Sequence, residues 1–150
     1  VRSRHVAVLV AVAVLIAAAV ALVLFAASGS RRALAGAPGL DLTYPAGKLI
    51  EDNTSDAIFG ASAYRVRGYA TDAETADIIG YFDAELAGLG YRTVPATSDP
   101  VTRFQNHPPL RQYQNDQFNY RLYLLDIPYK LSRNVIITGY RHALFTELTN

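Results

Sequence analysis

From Val6 to Ala27 the chain reads VAVLVAVAVLIAAAVALVLFAA, 22 residues without a charged or polar side chain, a Gly or a Pro. As a helix rising about 1.5 Å per residue it would extend roughly 33 Å, enough for a hydrocarbon layer of about 30 Å. A helix also satisfies its own backbone hydrogen bonds, as lipid requires. A buried helix of a soluble domain would normally keep some polar stripe, and this run has none, so it predicts a transmembrane helix over residues 6–27 with the lipid bilayer as its partner.

The rival reading is a cleaved secretory signal, because Ala33-Leu34-Ala35 has the small-x-small form of a cleavage site. Signal cores run about 7–15 apolar residues, and here Arg31 and Arg32 stand between the run and that site, so a retained anchor is expected. Arg2 and Arg4 on one flank nearly balance Arg31 and Arg32 on the other. A short basic segment before a first span usually stays inside, and long domains cross largely regardless of charge. Residues 1–5 are therefore expected in the cytoplasm and everything after the span outside it.

Setting those four flanking arginines aside leaves ten Lys and Arg against thirteen Asp and Glu, a net charge of −3. That excludes the basic footprint of a nucleic-acid-binding protein. The absence of Cys excludes disulfides, thiolate metal sites, cysteine nucleophiles and a lipid-modified cysteine.

Residues 28–56 read as a flexible linker. Ser28 to Pro45 scatters Gly29, Gly36, Gly39 and Pro38 among small residues with neither helical nor strand period, and Asp52 to Asp56 is rich in turn formers. What remains, residues 57–150, is enough for a single small domain. Ala63 to Tyr69 alternates as a half-buried strand, with Tyr64 and Val66 on one side and Arg65, Arg67 and Tyr69 on the other. Thr71 and Glu74 have the spacing of a capping box, with Asp72 and Asp77 favourably placed in the opening turns. Ala76, Ile79, Phe82, Leu86 and Leu89 then form an apolar helical stripe, and Gly90 stands where a left-handed cap is wanted, with Tyr91 able to pack back.

Tyr91 to Val94 predicts a short strand, and Pro95 to Asp116 a long loop. Phe118 to Leu125 alternates cleanly: Phe118, Tyr120, Leu122 and Leu124 take one side, Arg121 and Tyr123 the other. Val135 to Leu148 is β-rich, with Gly139 expected at a bulge. The order strand, helix, strand, strand, strand predicts an α+β domain with one helix packed on a mainly antiparallel sheet.

The strand at Tyr64 to Val66, the capped helix ending Leu86-Ala87-Gly88-Leu89-Gly90-Tyr91 and the strand at Phe118 to Leu125 together resemble small single-pass bacterial envelope proteins. These have one N-terminal anchor and an extracytoplasmic α+β domain, and the resemblance covers roughly residues 60 to 148. It implies a cell-envelope location and no catalytic residues.

The residues themselves point to little chemistry. His5, His107 and His142 are the only imidazoles, with no pair at ligand spacing, so neither a metal nor another cofactor is expected. Ser62 lacks the second glycine of a nucleophile elbow, Asp83 and Glu85 fall on different helix faces, and no glycine-rich phosphate loop occurs. The one constellation is Arg65, Arg67, Tyr69, Arg121 and Tyr123. If their strands share a sheet, these residues form an Arg/Tyr face suited to binding a partner, with solvated cross-strand stacking as the plainer alternative. On such a face each arginine would be replaceable at less than about 0.5 kcal/mol. The expected function is a non-catalytic binding or scaffolding module that engages another envelope protein or a wall polymer. The alternative is an envelope hydrolase or isomerase, with His107 or His142 working under the 95–116 loop.

Overall fold

The structure is a computed structural model and describes residues 12–22, 34–55, 62–97, 104, 106–132 and 135–150. Residues 12–22 are helical (α1) and all of them are exposed. The expected span Val6 to Ala27 extends beyond them on both sides, outside the described residues. Among the described residues no helix is long and apolar enough to cross a membrane.

The rest of the described chain is α+β. Its elements are β1 (Lys48–Ser55), β2 (Tyr64–Thr71), α2 (Thr75–Gly88), β3 (Arg92–Val94), β4 (Arg111–Gln114), β5 (Asn119–Asp126), β6 (Tyr129–Ser132), β7 (Val135–Ile137) and β8 (His142–Thr149). Six strands form one sheet in the order β1-β2-β8-β5-β4-β3, every neighbouring pair antiparallel. β6 and β7 pair as a separate two-stranded sheet. The expected strand-helix-strand-strand-strand order survives as β2-α2-β3-β5-β8, with β1, β4 and the β6–β7 pair added to it.

Three expectations fall. The linker assigned to 28–56 contains β1, and Leu34, Ala37 and Tyr44 ahead of it are buried in the core, so ordered packing begins at least as early as residue 34. The 95–116 loop contains β4, which joins β3 to β5. Gly139 makes no bulge. It has φ +79° in the turn between β7 and β8, a left-handed conformation that glycine adopts freely.

Helix α2 ends as the sequence suggests and begins differently. At its C-terminus Gly90 has φ +85°, its N–H donates to the Ala87 carbonyl (3.1 Å), and the Tyr91 N–H donates to the Leu86 carbonyl (2.9 Å). This double bond pattern closes a helix through a left-handed glycine, and Tyr91 is buried in the same core cluster as Leu86. At the N-terminus the capping residue is Glu74, with no side-chain cap bond. Thr71 instead ends β2, its hydroxyl donating to the Ala46 carbonyl (2.9 Å) and accepting from the Ala73 N–H (3.1 Å). The buried stripe is Ile78, Phe82 and Leu86, while Ala76 and Leu89 are exposed. The buried row is therefore i, i+4, with Ile78 in place of the half-buried Ile79 of the mixed spacing read from the sequence.

Both sides of the sheet are covered. On the α2 side, Tyr69, Tyr120, Leu122, Leu144 and Leu148 meet Ile78, Phe82 and Leu86, closed at one end by Leu34, Ala37 and Tyr44. On the other side, Val66, Tyr123, Leu125, Ala143 and Phe145 pack with Phe104, and Tyr129 of β6 rests on Phe145 with ring centroids 5.1 Å apart. Gly68 is required here, since a Cβ on it would lie 2.5 Å from the Phe145 ring.

Candidate functional site

Residues facing one another across an antiparallel pair share a side of the sheet. Arg65, Arg67 and Tyr69 face Leu148, Thr146 and Leu144 of β8, which in turn face Tyr120, Leu122 and Leu124 of β5. All of these lie on the α2 side. Arg121 and Tyr123 face Glu147 and Phe145, on the opposite side. The five residues expected to make one Arg/Tyr face are thus split between the two faces of the sheet, and neither group is a solvated patch.

Arg121 donates to Glu147 (3.1 Å) in an ion pair whose members are 7% and 1% exposed. Tyr123 is buried and stacks on Phe104 at 4.4 Å between centroids. Tyr69 is buried as well, edge-on to Tyr44, and burial pushes its hydroxyl above the usual tyrosine range.

Arg65 and Arg67 instead hold the segment that precedes β1. Successive turns use the N–H groups of Ala37, Leu40 and Leu42 on the carbonyls of Leu34, Ala37 and Gly39. The Leu40 and Leu42 carbonyls then accept from Arg65 Nη1 (3.3 Å) and Arg67 Nη1 (3.1 Å). Asp52, across from Arg67 in β1, accepts from Arg65 Nε and Nη2 at 2.9 Å each and from Arg67 Nε at 3.2 Å. The two-pronged bond from Arg65 holds the Asp52 carboxyl below the usual carboxylate range, and the same pairing raises Arg65. Asp41 adds single contacts to Arg65 (3.2 Å) and Arg67 (3.5 Å) from a side chain that is 86% exposed.

Beside this cluster lies a half-open cavity of about 350 Å³, lined among the described residues by Leu34, Ala35, Leu40, Thr54, Ser55, Ala63 and Arg65. Four lining residues are apolar, two carry hydroxyls and one carries charge. Sequence reasoning reached only Arg65. Five of the others fell in what read as a linker, Ala63 opened the strand read from Ala63 to Tyr69, and a cavity formed by a turn segment closing on a sheet end leaves no periodic trace.

The histidines lie elsewhere. His107 is exposed in a turn closed by its own N–H on the Phe104 carbonyl (2.7 Å). His142 faces Thr71 and Asp126 in the sheet, and its Nδ1 is shielded from solvent without a hydrogen bond. Among the described residues no carboxylate is hydrogen-bonded to either ring, the orientation a base would require. Among the described residues no three His, Cys, Asp or Glu side chains converge as metal ligands. Comparison of the chain with protein-family models, with curated proteins and with solved structures finds no match.

Proposed function

We propose that this chain is a membrane-anchored, non-catalytic binding or scaffolding module of the bacterial cell envelope, with its α+β domain outside the cytoplasm. The observation that supports this reading best is α1. Every residue from 12 to 22 is apolar and every one is exposed, with Leu15 at 69% and Leu22 at 74%. These eleven residues lie inside the 22-residue apolar run, whose exposure to water would cost about 0.8 kcal/mol per CH₂ and whose burial in lipid would recover it.

Asp41, Asp52, Asp83 and Glu147 hold arginines of the fold, which commits these four carboxylates to structure. Nothing at His107 or His142 favours the enzymatic alternative.

A C-terminal alkaline phosphatase fusion expressed in a bacterial host should be active, and the fusion should stay in the membrane pellet after an alkaline carbonate wash. Activity from a cytoplasm-only reporter at the same position, or release of the chain by carbonate, would overturn the anchored, outward reading. In-cell cross-linking of the full chain should trap an envelope protein or wall fragment, and recovery of the bare chain alone would count against the binding role.

A further inference from the structure

We propose that the cavity beside Arg65 is a binding site for a single-chain amphiphile with a carboxylate head. Its volume of about 350 Å³ lies within the range of small-molecule pockets, about 300–1,000 Å³. Leu34, Ala35, Leu40 and Ala63 offer apolar wall to a chain, and the Thr54 and Ser55 hydroxyls with the Arg65 guanidinium offer the polar end. The two carboxylates on Arg65 are held unequally. Asp52 is bound through both oxygens from within the sheet, whereas Asp41 is 86% exposed and reaches Arg65 and Arg67 through one oxygen. An incoming carboxylate can take the place of Asp41 on Arg65, the one charged residue lining the cavity, exchanging one acid for another, while Arg67 keeps its contact with Asp52.

The location suits such a ligand. Leu34 lines the cavity, and only residues 28–33 separate it from the end of the apolar run at Ala27, a reach of at most about 25 Å. This proximity to the bilayer rests on the anchored reading above, whereas the chemistry of the cavity does not.

The test uses the full chain, methyl-labelled at Leu and Ala, mixed with phosphatidylcholine nanodiscs and titrated with decanoate. Saturable shifts are expected at Leu34, Leu40 and Ala63, with decanol at least tenfold weaker. Ala35→Phe, which fills the mouth from an exposed position, should abolish the shifts while the remote Leu122 and Leu144 methyls stay dispersed; if that dispersion is lost, Thr54→Phe on the exposed edge strand serves instead. Asp41→Asn should tighten decanoate at least threefold, because the competing carboxylate is gone. Absence of saturable shifts, an equal response to decanol, unchanged shifts in a folded mouth-filling variant, or no gain from Asp41→Asn would each overturn the proposal. Co-elution with nanodiscs tests the anchor independently, and the titration reads the cavity whether or not the chain co-elutes.

Discussion

At Asp52 a single carboxylate satisfies donors on two arginines that sit two residues apart on β2. Because folding lowers its pKa, its contribution is fully present above the value of an unfolded Asp, about 4, and is lost as pH falls through the lower folded value. Asp52→Asn should therefore cost about 1 kcal/mol at pH 7, and the gap to wild type should close below about pH 4, read from urea midpoints across that range. At Arg121 the expectation from sequence reverses. Replacing it with Gln should cost about 3 kcal/mol, because it strips the guanidinium from a Glu147 that is 1% exposed. A denaturant shift of less than about 0.5 kcal/mol would restore the solvated-face reading. The side that each arginine takes within its own strand was legible. How β2 and β5 compare was not, because β8 lies between them: Arg67 faces Thr146 and Arg121 faces Glu147, neighbours in sequence on opposite sides of the sheet.

Among the elements, those with one apolar and one polar side announced themselves, as β2, β5 and the closing end of α2 did. β1 and β4 did not. KLIEDNTS forms the first edge of the sheet with most residues exposed, and RQYQ buries Gln112 and Tyr113 without an aliphatic side chain, so neither carries the alternation that marks a half-buried strand. The start of α2 misled for a different reason: Thr71 has the right spacing for a cap, but its hydroxyl is engaged with Ala46. At the centre of β2 the close approach of Phe145 to Gly68 gives a sharp test. Gly68→Ala should destabilise by about 1–3 kcal/mol, and adding Phe145→Leu should recover part of the loss by relieving the overlap, measured as a double-mutant cycle in denaturant.

For the whole molecule, the boundary of the folding unit is the main departure from the sequence reading. A fragment beginning at residue 34 should unfold in one cooperative thermal transition. One beginning at residue 57 should not, since it lacks β1, the core contacts of Leu34, Ala37 and Tyr44, and the carbonyl and carboxylate partners of Arg65 and Arg67. Circular dichroism melts of the two fragments decide this, and equal cooperativity would return 34–56 to the status of a tether.

Among the described residues β8 is the last strand in chain order, yet it lies between β2 and β5 and joins the two halves of the sheet. A ribosome delivering this chain from its N-terminus makes the other five strands of that sheet first, and they cannot yet join: β1 and β2 form one ribbon, β3, β4 and β5 another, each with an open edge where β8 belongs. The domain can close only after residues 142–149 have emerged. Were the chain exported as proposed above, this order of synthesis would leave its sheet unclosed until residues 142–149 had crossed.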